Sequence, residues 1–283
     1  MEEEREETMK LACGTVLFRK YPLDDALAAI RECGYEYVET QSVGPWCPHV
    51  DVTTDDPIRF ADKVRAHGFR GVTALWMRNG TILSSDDCVE WAVRTLEWAH
   101  AAGIKVVNTG DGFKPVGISD DEAYKIYADR MTEILEACER FETHIAIEPH
   151  GSFSLTGDGL VRLMSLSDSR WLGVNYDACN IHRASYVESR GDSFSEVRTA
   201  EKENELDVLR RIVDRVIHVH AKDYKKDHCV ALGEGDVALD ACLRILKERG
   251  YEGAVSLETE GDEDFETSRM FARKGYEYLV SRI

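Results

Sequence analysis

No run of about 18 apolar residues occurs in this 283-residue chain, so no membrane span is expected. The opening, MEEEREETMK, is acidic where a secretory leader would be basic and then apolar. We therefore expect a cytoplasmic protein with a flexible acidic start over residues 1–8. A Cys-x-x-Cys pair is missing. The eight cysteines are scattered through apolar or helical neighbourhoods such as LACGT and EACER. That argues for reduced thiols and against a disulfide framework. Positive charge is scarce, with 35 Lys and Arg against 53 Asp and Glu, a net charge of −18. Such a chain lacks the cations that neutralise phosphates, so nucleic acid is not an expected partner. No G-x-G-x-x-G follows the first strand-like run, LACGTVLFRK. This counts against a doubly wound dinucleotide-binding sheet, the alternative architecture. Linkers and low-complexity tracts are also lacking, so residues 1–283 read as one domain.

What is present is a rhythm. A helix-like segment, a glycine and a short β-rich run recur in RECGYEYVET around Gly34, RAHGFRGVTAL around Gly68 and HAAGIKVVNTG around Gly103. The pattern returns in KERGYEGAVSLETEG around Gly250. Glycine just past a helix takes the left-handed conformation without steric cost. The three early glycines are about 35 residues apart, the length of one βα unit. Between these anchors lie eight candidate strands: Leu11–Thr15, Tyr37–Thr40, Gly71–Leu75, Lys105–Thr109, His144–Glu148, Leu172–Asp177, Val216–His220 and Ala254–Glu258. Helical stretches separate them, one opening on Ser119 as an N-cap and the last running from about Asp262 to Val280. Eight alternating units of this size predict an α/β fold of the (β/α)8 TIM barrel type. The longest irregular connection, about Ala178 to Thr199, follows the sixth strand.

Catalytic groups of such barrels sit at the C-terminal ends of strands. In VIHVHAKD, His218 and His220 alternate with apolar residues, so both imidazoles share one face of a strand. Four consecutive strands end in Glu148, Asp177, His220 and Glu258. Any one of these alone reads as a solvated loop residue or a satisfied core group. Together, after buried-looking runs, the carboxylates would repel one another unless a cation lay between them. Three carboxylates and one imidazole suit a single divalent ion, Mn2+ first, with Mg2+, Co2+ or Zn2+ as alternatives. His218, one step deeper, is placed to orient a ligand.

These segments resemble the xylose isomerase-like TIM barrel superfamily of sugar phosphate isomerases and epimerases. The resemblance lies in IAIEPHG, VNYDACN, IHVHAKDY and LGEGDVALDACLRILKERGYEGAVSLETEG. It implies that Glu148, Asp177, His220 and Glu258 hold one metal ion. It also implies that Glu148 and Glu258 act as catalytic acid and base on opposite faces of a keto-sugar, through an enediolate. The chain departs from the ketose 3-epimerases of that family at two places. Asn180 stands where a histidine is usual, and AKDYKKD, with Lys222, replaces a substrate-holding arginine. These departures keep dehydratase or lyase chemistry, of the inosose dehydratase or 3-keto-glycoside-cleaving kind, as the alternative. Asn180, Lys222 and His150 are candidate substrate ligands. So are Glu39 (or else a surface ion pair), and Trp46 and Trp76 as pocket walls (or else core). The LGEGD turn is not read as a phosphate cradle. The expected substrate is a small keto-sugar or cyclitol, and self-association is left open. A multi-zinc nuclease of the same superfamily is disfavoured by the charge and by too few histidines at strand ends.

Overall fold

A computed structural model describes residues 9–77, 82–183, 186–190, 193–197 and 203–283, with backbone alone for the segments between 184 and 202. The eight barrel strands are β1 (Lys10–Gly14), β2 (Tyr37–Gln41), β3 (Gly71–Trp76), β4 (Val106–Gly112), β5 (His144–Gly151), β6 (Leu172–Asp177), β9 (Val216–Ala221) and β12 (Ala254–Leu257). They are parallel and close in the order β1-β12-β9-β6-β5-β4-β3-β2. Each expected strand is present, most of them shifted or extended by one to three residues at an end. Helices α1 (Leu23–Glu32), α2 (Pro57–Ala66), α3 (Cys88–Ala101), α4 (Asp120–Phe141) and α5 (Gly157–Ser165) lie between the early strands. After β6 come α6 (Ala178–Arg183), α7 (Glu205–Ile212), α8 (Leu239–Glu248) and α9 (Phe265–Val280). The chain thus forms a (β/α)8 TIM barrel.

The helix boundaries follow from local chemistry. Ser119 and Glu122 form a reciprocal capping box at the start of α4. The four glycines that mark the rhythm have φ between +70° and +107°, the left-handed stop expected of them. The last helix starts later than about Asp262, because the Asp264 carboxylate accepts from the Thr267 N–H and sets the N-cap there. The connection after β6 is less irregular than expected. Its start folds as α6, and it carries an antiparallel hairpin, β7 (Tyr186–Arg190) with β8 (Ser193–Val197). Residues 1–8, expected to be a flexible acidic start, lie outside the described residues.

Most strand positions are buried, as strands covered by helices on one face and a filled barrel on the other require. Register then stacks the interior. Asn175 pairs with His218 one step below Asp177 with His220, and His220 pairs onward with Ser256. Gly110 pairs with Glu148. A Cβ at Gly110 would meet the His150 carbonyl oxygen at 2.1 Å, so glycine allows β5 to bend there beside the site.

Beyond β9 a short hairpin, β10 (Asp223–Lys225) with β11 (His228–Val230), leads into the LGEGD turn. Asp223 organises this turn. Its buried carboxylate accepts from the backbone N–H of Gly233 and Gly235 at 2.9 Å and of Val237 at 3.3 Å. Asp223→Ala is expected to cost about 1–3 kcal/mol, the range for stranding buried donors. Urea denaturation measures this; an unchanged midpoint would show that the turn holds without the carboxylate.

Candidate metal centre

Glu148 ends the straight part of β5, Asp177 closes β6, His220 lies near the end of β9 and Glu258 directly follows β12. All four are buried, and one ligand atom from each lies within 4.8 Å of all the others. His220 Nδ1 is 3.0 Å from Glu148 Oε1 and 3.1 Å from Glu258 Oε2. Lys222 Nζ lies 2.9 Å from both Asp177 Oδ2 and Glu258 Oε2, and 3.0 Å from Glu260 Oε2. The Asn180 side-chain amide donates to Glu148 Oε1 at 3.1 Å, and its backbone N–H donates to Asp177 Oδ1 at 2.9 Å.

Electrostatics separate the two glutamates. Burial pushes Glu148 well above the usual carboxylate range, and attraction to His220 offsets it only in part. Burial would raise Glu258 too, but His220 and Lys222 outweigh it and hold this carboxyl well below its ordinary value. The difference follows from contact: Lys222 sits 2.9 Å from Glu258. Burial would depress His220, yet Glu258, Glu39 and Glu148 together hold it well above an ordinary imidazole. His218, with fewer charged neighbours, is pushed down by burial to about 4.

The donor set fits a divalent ion. Asp177 Oδ2 is buried and accepts no well-directed hydrogen bond. The nearby Lys222 ammonium is a charge partner at 2.9 Å, not an aligned donor. This oxygen is an acceptor that the local donors leave unused. Three hard oxygens and one imidazole nitrogen match Mn2+ or Mg2+ and also admit Zn2+ or Co2+.

A family model described as xylose isomerase-like TIM barrel matches residues 27–280. The chain belongs to this family. Among curated relatives, an uncharacterised protein of Methanocaldococcus jannaschii is 26% identical over 160 residues, 54% of this chain and 49% of that protein. An inosose dehydratase of Clostridium botulinum is 21% identical over 218 residues, 66% of this chain and 67% of that one. These matches thus span about half to two thirds of the relatives' own length. Similar solved structures include a D-tagatose 3-epimerase-like protein, at TM-score 0.75 and 20% identity, covering 97% of each chain. The probable 3-DHS dehydratase AsbF of Bacillus anthracis superposes at TM-score 0.73 and 17% identity, covering 97% of this chain and 100% of that one. The IolI protein with a bound zinc atom does so at 0.74 and 18%, over 96% and 97%. Proteins similar to this chain thus include a D-tagatose 3-epimerase-like protein and dehydratases.

The other sequence candidates fall into three positions. Asn180 and Lys222 touch the quartet directly. Trp76 stands beside it, with ring centroids 5.8 Å from His150 and 6.3 Å from His220. His150 is half-buried beside that indole. Trp46 is 40% exposed and stacks on the Arg19 guanidinium, 4.7 Å from its ring centroid. Glu39 is neither a surface ion pair nor open to solvent; it is 1% exposed, with Oε1 2.8 Å from His220 Nε2. Sequence reading missed Gln41, whose amide donates to Glu258 Oε1 at 3.1 Å, together with Asn108, Asn175 and Glu260. Period two could have found three of them: Gln41, Asn175 and Glu260 each stand two residues from a named candidate.

Proposed function

We propose that the protein is a divalent-metal-dependent isomerase or epimerase of a keto-sugar or related polyol, with Glu148 and Glu258 as its acid and base. One observation carries this reading. The two carboxylates meet at one imidazole nitrogen, from strands separated by β6 and β9, and their other partners differ. Each receives a neutral amide, Asn180 on Glu148 and Gln41 on Glu258, but Glu258 is also tied to an ammonium. Two carboxylates in unlike surroundings are what paired acid and base work requires. Glu148, Asp177, His220 and Glu258 would hold the ion. When bound, it would polarise a substrate carbonyl and acidify the neighbouring C–H. The chain's own residues then divide the work. One glutamate accepts the carbon-bound proton, giving an enediolate, and the other returns a proton from the other side. Lys222 and Asn180 hold both carboxylates in place and stand within reach of substrate hydroxyls. Trp76 supplies an apolar wall.

A second reading is favoured by Lys222. Its ammonium, beside Glu258 and Glu260, can hydrogen-bond a departing hydroxyl and stabilise the charge that develops on it, which serves dehydratase chemistry. Inosose dehydratases among the relatives support it. Both readings begin with a proton leaving carbon, so a turned-over substrate in D2O is expected to gain deuterium next to the carbonyl. Keto-sugars and keto-inositols screened with Mn2+ provide the substrates. A product of unchanged mass, apart from deuterium, supports isomerisation or epimerisation, and loss of water supports the dehydratase. Turnover with no exchange at all would sink the shared mechanism.

A further inference from the structure

We infer that Glu39 is a positioning residue for the metal centre, holding the His220 ring from beneath so that Nδ1 faces Glu148 and Glu258. Its consequence for metal binding rests on the proposed function; the positioning itself rests on geometry. Glu39 Oε1 is 2.8 Å from His220 Nε2, while Nδ1 of the same ring is 3.0 and 3.1 Å from the two glutamates. To ligate an ion the imidazole must be neutral, with one N–H and one lone pair. An Nε2–H donated to Glu39 leaves the lone pair on Nδ1, inside the quartet. A carboxylate behind a ligating imidazole also raises its basicity.

Glu39 is itself fixed. The Asn108 amide donates to the same Oε1 at 3.0 Å. One layer down, Asn175 Oδ1 lies 3.0 Å from His218 Nδ1. Asn175 Nδ2 is 3.2 Å from His220 Nδ1 and 3.3 Å from Nε2. Glu39, His218 and His220 also cluster closely enough to be read as a second cation site. Glu39 Oε1 takes both donors, whereas Oε2, 3.6 Å from His218 Nε2, accepts no hydrogen bond, so the metal stoichiometry below decides between acceptor and ligand.

Two measurements test this on the full chain. Crystal structures of metal-free wild type and Glu39→Ala compare the ring. Calorimetric Mn2+ titration compares wild type, Glu39→Gln and Glu39→Ala. Glu39→Gln keeps an acceptor oxygen without its charge and guards against a folding defect in the alanine variant. We expect the ring to turn away from Glu148 and Glu258 in Glu39→Ala. Affinity should weaken about tenfold in Glu39→Gln and about a hundredfold in Glu39→Ala, with stoichiometry still near one. An unmoved ring, or both variants binding within roughly threefold of wild type, overturns the inference. So does a wild type holding two ions of which the Glu39 variants lose one, since Glu39 would then be a ligand. A wild type that takes up no Mn2+ ends the metal reading instead, and the metal-free ring orientation still decides the role of Glu39.

Discussion

Glu148→Gln and Glu258→Gln are each expected to lower turnover at least roughly a hundredfold, the lower range for one positioned acid–base group. Glutamine keeps the volume and one carbonyl oxygen, so packing against Asn180, Gln41 and His220 persists. It cannot accept a proton from carbon. Both positions also belong to the metal quartet, so metal content must be measured on the same preparations and turnover read at saturating Mn2+. The two variants should differ in deuterium exchange. The one that loses the base abolishes exchange, while the one that loses only the acid retains exchange into recovered substrate. Near-normal turnover in both variants would mean that neither glutamate does the proton work assigned to it.

Loss of the metal is the second large effect. Wild-type protein reconstituted with Mn2+ is expected to approach one ion per chain, and His220→Ala or Asp177→Ala should lose most of it. Asp177 supplies an oxygen that accepts no aligned hydrogen bond and can therefore take a metal ion beside the Lys222 ammonium. His220 supplies the only nitrogen in the quartet. Metal binding should also stabilise the fold by mass action, about 2.7 kcal/mol at a hundredfold excess over Kd. For a chain of this size that is a thermal shift of several degrees. The readout is the shift on adding Mn2+, not the midpoint itself. His220→Ala also strips Glu39, Glu148 and Glu258 of a shared partner and destabilises the metal-free protein. Wild-type stoichiometry retained in both variants would place the ion elsewhere.

Much of this centre was legible because strand physics is local. Side chains alternate with period two, and glycine ends helices wherever the left-handed conformation is needed. The eight units, and the appearance of Glu148, Asp177, His220 and Glu258 at strand ends, follow from those two rules. The helix and hairpin after β6 were not legible, since that segment shows neither clear period. Lys222 and Glu39 were named from the sequence but could not be placed by it. Lys222 follows the last residue of β9, and nothing in AKDYKKD says that its ammonium turns inward onto Asp177 and Glu258. Glu39 is 181 residues from His220 in the chain. Alternation fixes which face a residue takes on its own strand. Which residue it then meets depends on the stagger at which β1 and β12 close the barrel and on the bulge that shifts β6 against β9. The sequence therefore determined the units and the ligand types. The closed barrel alone decided that a carboxylate stands behind His220 and an ammonium among the acids, because contacts across a barrel are set by register summed around the whole ring.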